Sequence, residues 1–403
     1  VLRDRNHPCI ISYSIGNEVI ERKEIRVIHT AQKFKDVITA LDNTRPVTEA
    51  LCAWDSDWEI YDPHAAVLDI VGYNYMMHKA ESDHERCPER VMWQTESYPR
   101  DAFANWKHTV DRPYIIGDMV WTGLDYLGES AIGQFHYEGE PRDEHWQATH
   151  FPYHGAYCGD VDLVGWRKPI SHYRDLLWNT EEGASDIYLA VREPDYYTNG
   201  HVTETMWSVW PTWESWNWAG WEGKDIEAEI YTKAPKVRLY LNDKIVAEKD
   251  VNIGTQYKAI IKLPYQPGVL KAVSVDANGK ELSESTLRTS GKPASLRLTT
   301  DRHRILADGQ DLAYIKVEVV DHDGNLVPDA AIPVSVKVAG KATLLAAASA
   351  NLKDIEPKTS PNVTTYKGQA LIVVRSGRKT GKASISVRSS AIDGIGTMTL
   401  RVE

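Results

Sequence analysis

Strand-like and helix-like segments alternate through the first 178 residues, and this alternation constrains the fold more than any other feature of the sequence. The strand-like runs are Ile10–Ser14, Val47–Cys52, Val67–Tyr75, Arg90–Ser97 and Tyr114–Trp121. Apolar residues recur at helical spacing in Glu21–Leu41, Phe103–Val110 and Pro169–Trp178. Strands that alternate with helices form βαβ units, so the sequence predicts a parallel sheet.

The first of these runs continues through Asn17 and ends on a carboxylate, Glu18. We interpret Ile10–Ser14 as a strand buried on both faces that delivers Glu18 to its C-terminal end. In a (β/α)8 barrel that end is the catalytic face, and a whole barrel has eight strands in about 250 residues. Five strands therefore predict a partial TIM barrel. Because the chain also opens without Met, we expect a fragment that lacks about three βα units.

From about residue 183 the pattern changes to short alternating runs separated by turns such as Asn278-Gly279. The predicted strands are 187–191, 205–210, 226–231, 237–242, 257–263 and 270–276, and then 295–300, 313–321, 332–338, 370–376, 384–390 and 397–402. Such runs are typical of antiparallel immunoglobulin-like β-sandwiches. We predict three domains: a C-terminal barrel part at 1–180, a Trp-rich sandwich at 181–290 and a second sandwich at 291–403.

Composition restricts the classes of partner. The 46 Lys and Arg against 57 Asp and Glu give a net charge of −11, which argues against nucleic acid and anionic membranes. The 14 Trp and 20 Tyr suit contacts with carbohydrate, although they also suit any interface that is partly exposed to water. The four Cys show no metal-ligand spacing, so we expect no metal and no cofactor. No apolar run is long enough to span a membrane, so we expect no membrane insertion, and we leave a homodimer open.

Two of the strand-like runs end on glutamates, Glu18 and Glu96, that lie 78 residues apart in the chain. Cleavage of a glycosidic bond needs a proton for the leaving oxygen and a carboxylate on the far side of the anomeric carbon, and two glutamates can supply both. The acid must keep its proton near neutral pH while the nucleophile stays ionised, so their environments must differ. The competing interpretation of each glutamate taken alone is a solvated loop carboxylate.

Three motifs in the same order resemble glycoside hydrolase family 2. Arg3–Pro8 followed by Ser14–Glu18 is similar to the acid/base signature of that family. Gln94–Ser97 resembles its nucleophile strand. Gly117–Glu129 resembles the eighth barrel strand and following loop of β-galactosidase-like members.

The resemblance implies that Glu18 is the general acid/base and that Glu96 is the nucleophile of a retaining double displacement. It also implies a set of substrate-binding or positioning residues, which are Asn17, Tyr75, Trp121, Asp125 and Glu129. Asn17 would bond the sugar 2-hydroxyl, Tyr75 would orient Glu96, and Trp121 would stack on the sugar.

Several aromatic residues keep alternative interpretations. Tyr75 also suits a barrel-layer aromatic, and Trp121 also suits core packing. Trp54 and Trp58 would form a platform for a distal sugar or simply cover the barrel mouth.

The predicted substrate depends on a pair of residues that this chain lacks. β-Glucuronidases of the family carry an Asn-x-Lys pair after the eighth strand, whereas this chain has no Asn between Trp121 and Trp178. This favours terminal β-D-galactosides, with β-glucuronidase or another β-glycosidase as the alternative. The alternative from a different functional class is a non-catalytic carbohydrate-binding or scaffold fragment. The resemblance implies a periplasmic or secreted bacterial protein, and we expect the isolated chain to be inactive or weak.

Overall fold

The computed structural model of the chain describes residues 1–21, 24–53, 58–141, 150–180 and 187–403. The chain divides into an N-terminal unit, residues 1–123, and a C-terminal unit, residues 124–403. Within the described part of the chain, none of the helices is both long and apolar enough to cross a membrane. The three predicted domains and their boundaries stay predictions.

One five-stranded sheet organises the N-terminal unit. Its strands are β1 (Tyr13–Asn17), β2 (Val47–Leu51), β3 (Ile70–Asn74), β4 (Met92–Ser97) and β5 (Ile115–Val120). They lie in the order β1-β2-β3-β4-β5, and every neighbouring pair is parallel. The predicted parallel sheet is therefore confirmed. Its C-terminal edge gathers the residues that follow the strands.

Helices connect these strands, as the alternation predicts. The helices of this unit are α1 (Ile25–Leu41), α2 (Asp62–Ala65), α3 (Ala80–Arg86) and α4 (Ala102–Asp111), with 3-10 turns at Trp58–Tyr61, Met77–Lys79 and Pro99–Asp101. The central strands β2 and β3 are buried along their whole length. Their outward side chains, such as Leu51, Val71 and Tyr73, pack with Trp58 into one core cluster.

The expectation of a first strand buried on both faces is wrong. β1 begins at Tyr13 rather than Ile10, and its residues are half-buried or exposed. The reason is its place at the edge of the sheet, where β2 covers one side only. Ile11 and Cys9, just before it, are exposed as well.

The C-terminal unit begins with loops, a small β6–β7 ladder and one helix. These elements are β6 (Tyr126–Leu127), β7 (Gly155–Ala156) and α5 (Pro169–Trp178). Helix α5 has the predicted bounds, with Pro169 in its first turn, where the missing N–H costs nothing.

Two antiparallel sheets follow α5 and bury a Trp-containing core between them. Their strands are β8 (Ile187–Arg192), β9 (Thr212–Trp213), β10 (Asp225–Thr232), β11 (Lys236–Leu241), β12 (Lys244–Asp250), β13 (Lys258–Pro264), β14 (Val269–Val275) and β15 (Glu281–Arg288), with a 3-10 turn at Ile253–Thr255. The sheet orders are β13-β10-β8-β9 and β12-β11-β14-β15. Trp216 and Trp218 are buried in the shared core with Val237 and Leu239. The sequence therefore predicted this sandwich correctly.

A second sandwich completes the unit. Its strands are β16 (Ser295–Thr300), β17 (Arg304–Ile305), β18 (Leu312–Val320), β19 (Pro333–Gly340), β20 (Ala342–Ala348), β21 (Asn362–Thr364), β22 (Gln369–Ser376), β23 (Gly381–Ser389) and β24 (Ile395–Val402). The sheets have the orders β16-β18-β22-β20 and β17-β24-β23-β19-β21. All pairings are antiparallel apart from the short β17–β24 pair.

One predicted strand of the first sandwich, residues 205–210, is absent from the structure. The segment contains a turn instead, in which Ser208 Oγ accepts from the Thr205 backbone N–H at 2.7 Å. Such local side-chain bonds compete with a sheet ladder. Trp207 is buried nonetheless, so its apolar contacts do not require a strand.

Candidate active site

An irregularity in β1 positions the first predicted catalytic residue. Ser14 pairs with Thr48 and Asn17 pairs with Ala50, so β1 contains one residue more than β2 between these pairs. Glu18 follows with φ 47°. A left-handed backbone is uncommon outside glycine and concentrates at functional sites. This conformation lets two consecutive side chains, Asn17 and Glu18, both contact Asn74 of β3.

A bulge in β4 positions the second predicted catalytic residue. Gly72 pairs with Trp93, whereas Asn74 pairs with Glu96, so Thr95 is an extra residue in β4. Paired residues of neighbouring strands project to the same face of a sheet. Glu96 therefore projects to the face of Gly72 and Asn74. Without the bulge, Thr95 would take this place and Glu96 would point to the opposite face.

Tyr75 is the second left-handed residue of this edge, with φ 58°. Its backbone N–H donates to the Glu96 carbonyl at 2.9 Å. Its side chain hydrogen-bonds the Glu96 carboxyl, which lowers the pKa of that group. The Tyr75 ring also stacks on Tyr98, with 4.5 Å between centroids and 30° between planes. Tyr75 thus lies where the proposed orienting role requires it.

Asn74 joins the two glutamates, and the sequence did not single it out. Its side chain is fully buried, and its Nδ2 donates to Glu18 Oε1 at 2.8 Å and to Asn17 Oδ1 at 3.2 Å. A hydrogen bond from the same side chain lowers the pKa of Glu96. The one sequence signal that pointed to it was its place at the end of a buried strand, directly before Tyr75.

Glu96 is buried, and its pKa is raised to about 7. Loss of hydration is the largest cause, and the negative charge of Glu18 adds to it. Hydrogen bonds from Tyr75, Asn74 and Asn17 act in the opposite direction, because they favour the carboxylate. Glu18 is therefore close enough for its charge to influence the ionisation of Glu96. The roles implied by the family resemblance would require the raised pKa on the acid, whereas the structure raises the pKa of the predicted nucleophile, Glu96.

Trp121 follows β5 at the same edge of the sheet. Its backbone N–H donates to the Ser97 carbonyl at 3.0 Å, which fixes it beside the end of β4. The residue is half-buried, and its bond to Thr122 is cis. Stacking on a sugar stays a prediction for Trp121.

Asp125 and Glu129 belong to the C-terminal unit. Asp125 is buried, and its Oδ1 accepts from Lys168 Nζ at 2.7 Å and from the Gly159 N–H at 2.8 Å. Burial raises the pKa of Asp125 to about 6. These contacts favour a structural role. Glu129 is exposed and accepts from the Tyr126 hydroxyl, so it is the more accessible of the two.

The sugar-platform role considered for Trp58 is wrong. Trp58 is 1% exposed, and its Nε1 donates to Asp83 at 2.6 Å inside the core beside Tyr73. A ring enclosed in this way offers no face to a sugar. Trp54 lies outside the described residues.

Groups of three or more His, Cys, Asp or Glu side chains placed to hold a metal ion do not occur in the described ranges. The sheet edge brings together two carboxyl groups, Glu18 and Glu96, with amide and phenol donors around them. Such a pair is suited to proton transfer and nucleophilic attack at an acetal carbon.

Three family models match the chain. The model "Glycosyl hydrolases family 2, TIM barrel domain" matches residues 1–129, and "Glycoside hydrolase family 2 C-terminal domain 5" matches residues 296–395. A domain of unknown function matches residues 223–283. The two models of family 2 together account for more than half of the chain.

Relatives of known structure or name agree with these matches. A β-galactosidase from Bacteroides ovatus is 26% identical over 97% of this chain and 49% of its own length. A β-glucuronidase from Formosa agariphila is 24% identical over 84% of this chain and 32% of its own length. The crystal structure of a glycosyl hydrolase family 2 member from Bacteroides cellulosilyticus is 33% identical, with a TM-score of 0.90 over 100% of this chain and 50% of the solved one.

The chain spans about half the length of the β-galactosidases that it matches. Its family resemblance is confirmed in both the parallel-sheet region and the last sandwich. The chain therefore belongs to glycoside hydrolase family 2 and carries part of its TIM barrel together with C-terminal β-sandwich domains.

Proposed function

We propose that this chain supplies both catalytic carboxyl groups of a retaining glycosidase that removes terminal β-D-galactosyl residues. The observation that carries this proposal is the shared amide of Asn74, which hydrogen-bonds Glu18 and also interacts with Glu96. Two glutamates from strands that are not neighbours meet at one group on the C-terminal edge of a parallel sheet. Retaining glycosidases need such a pair, with about 5–5.5 Å between carboxyl groups. We predict that separation here.

The proposed mechanism is a double displacement. Glu18 donates its proton to the glycosidic oxygen while the ionised Glu96 attacks the anomeric carbon, which breaks the bond to the aglycone. Glu18 then takes a proton from water, and the resulting hydroxide displaces Glu96 from the sugar. A proton on Glu18 also removes the charge that raises the pKa of Glu96. Protonation of Glu18 therefore favours the ionised form of Glu96.

Galactosides lead because two β-galactosidases are among the relatives and because Asn is absent between Trp121 and Trp178. The β-glucuronidase relatives support glucuronides as the second candidate. Within the site we assign Asn17 to the sugar 2-hydroxyl and Trp121 to stacking on the apolar sugar face. Glu129, which is exposed, is the remaining candidate for a sugar contact. The buried Asp125 instead stabilises its own loop through Lys168 and the Gly159 N–H.

The test is an assay of the complete gene product on a panel of nitrophenyl β-glycosides that includes the galactoside and the glucuronide. We expect turnover of the galactoside with retained configuration and loss of this turnover in Glu96→Ala. Preference for the glucuronide would change the substrate but keep the mechanism. Absence of turnover on the whole panel would favour the non-catalytic carbohydrate-binding or scaffold class.

A further inference from the structure

The amide of Asn74 is hydrogen-bonded at both ends, and one of its partners, Thr95, has no role of its own in the proposed reaction. Thr95 Oγ1 donates to Asn74 Oδ1 at 2.6 Å. While Glu18 is ionised it only accepts hydrogen bonds, so the amide nitrogen of Asn74 faces Glu18 and its oxygen faces Thr95. The Thr95 hydroxyl satisfies the other end of the amide, and this end is buried. With Glu18 ionised, these bonds leave one orientation of the amide in which all partners are satisfied.

The β4 bulge and a glycine create the space for this contact. Thr95 is the extra residue of the bulge, and it lies over Gly72 of β3. A Cβ at residue 72 would be 2.8 Å from both Thr95 Oγ1 and Thr95 Cγ2, and 2.6 Å from the Glu49 carbonyl oxygen. Real Cβ atoms do not approach other atoms so closely, and backbone of a packed sheet does not yield. Gly72 therefore keeps open the space that Thr95 occupies.

From this arrangement we infer that Asn74 is a positioning residue that couples the two glutamates, and that Thr95 and Gly72 hold its amide in the active orientation. The inference rests on the proposed function and deepens it. Asn74 donates to Glu18 and favours the ionised form of Glu96, so one side chain orients the acid and stabilises the nucleophile. Asn17 joins the same network through its Oδ1.

The inference has a first consequence for ionisation, which does not depend on turnover. Loss of the Asn74 amide should raise the pKa of Glu96 further, because a donor to the carboxylate is removed while burial and the charge of Glu18 remain. Thr95→Val should raise the pKa of Glu96 less, since the Asn74 amide remains but loses the hydrogen bond that holds its oxygen. Thr95→Ser keeps the hydroxyl and serves as the matched control.

Carboxyl ¹³C NMR titration of residues 1–403 measures this pKa directly, with Glu96→Gln used to assign the signal. We expect an upward shift in Asn74→Ala, a smaller upward shift in Thr95→Val and no shift in Thr95→Ser. An unchanged Glu96 pKa in folded Asn74→Ala overturns the inference, as does an equal shift in the two Thr95 variants. If Asn74→Ala does not fold, the comparison of the Glu96 pKa in Thr95→Val and Thr95→Ser tests the inference in the same way.

The second readout is the pH dependence of kcat/KM in the complete gene product. Asn74→Ala should lower kcat/KM on the order of 10- to 100-fold near pH 7, because a hydrogen bond to a charged group is lost. Its acid limb should also move to higher pH. A purely structural role would lower the rate equally at all pH values, and this result would overturn the inference.

The two proposals fail in different ways. An inactive wild-type gene product would contradict the proposed function alone, since the NMR titration would still test the coupling. An active wild type with an unaltered acid limb in Asn74→Ala would contradict the coupling alone.

Discussion

Asn74 Nδ2 donates to Glu18 Oε1 at 2.8 Å, although β2 lies between the strands that carry these two residues. Neighbouring strands are about 4.8 Å apart, so β1 and β3 are separated by about 9.5 Å along a flat sheet. The contact spans this separation, as expected where side chains on the inner face of a curled sheet converge, as in a barrel. Glu96 on β4 lies one strand further along. The bridging amide is thus the group through which distant strands form one site.

The first prediction concerns the charge of Glu18. Because this charge raises the pKa of Glu96, Glu18→Gln should lower that pKa and move the acid limb of kcat/KM to lower pH. The measurement needs a dinitrophenyl galactoside, whose leaving group departs without a proton from Glu18. Glu21→Gln removes an equal charge from an exposed residue and should leave the limb in place. A limb that moves to higher pH in Glu18→Gln would contradict the electrostatic coupling.

The second prediction concerns stability and pH. The folded-state pKa of Glu96, about 7, lies above its ordinary value of 4.5, so the protonated form stabilises the fold. This stability is fully present below pH 4.5 and is lost as the pH rises through 7. Ionised Glu96 then costs up to about 3 kcal/mol.

Glu96→Gln removes this cost and should melt at a higher temperature than the wild type at pH 8. At pH 5 the two proteins should melt much closer together, and differential scanning fluorimetry at both pH values measures the difference. A lower melting temperature for Glu96→Gln at pH 8 would show that the hydrogen bonds to the carboxylate outweigh the cost of its burial.

The third prediction assigns the catalytic roles. In Glu96→Ala of the complete gene product, azide should replace the nucleophile and yield a galactosyl azide of inverted configuration. In Glu18→Ala, azide should instead intercept the intermediate and yield a product of retained configuration, with activity persisting best on good leaving groups. Proton NMR of the products distinguishes the two anomers. Exchanged configurations would mean that the roles of Glu18 and Glu96 are reversed.

The fourth prediction separates structure from sugar binding at Trp58. Asp83 is 1% exposed and accepts from Trp58 Nε1, the Tyr73 hydroxyl and Arg90 Nη1, at 2.6, 2.7 and 3.0 Å. Trp58→Phe removes one donor to a buried charge and should lower the free energy of unfolding by about 1–3 kcal/mol. It should leave kcat/KM on the galactoside within about twofold of the wild type, since that loss does not touch the sheet edge. An unchanged melting temperature with a raised KM would contradict the purely structural role of Trp58.

Much of the scaffold follows from local sequence. The strands of the parallel sheet and helix α5 are evident because their apolar periodicity agrees with their burial. β20, by contrast, is rich in Ala and Leu, residues with no strand preference, and its pairing with β22 forms it. The sequence of a strand also does not reveal whether the strand lies at the edge of its sheet. This explains why the predicted burial of β1 was wrong.

The site was only partly predictable for a different reason. Motifs identify Glu18 and Glu96, because their residue types and order are specific, whereas Tyr75 is identified by its place at the end of the strand before Glu96. Asn74 acquires its role from the extra residue Thr95 in β4, and no pattern in one strand reveals a register shift against the next. The raised pKa of Glu96 likewise depends on burial by residues distant in the chain.

The last prediction is that residues 1–403 alone hydrolyse galactosides weakly or not at all. β1 and β5 lie at the two edges of the five-stranded sheet, and Ile116 and Met119 of β5 are 50% and 41% exposed. Open edges with apolar side chains leave a site less firmly held and also favour pairing between copies. Loss of even two hydrogen bonds to charged groups, at about 1.5–3 kcal/mol each, lowers the rate by about two to four orders of magnitude. The assay compares kcat/KM of this chain with that of the Bacteroides ovatus β-galactosidase, of which it covers 49%, while light scattering reports whether the chain dimerises. Comparable rates per active site would refute the prediction and would require a sheet that two copies complete.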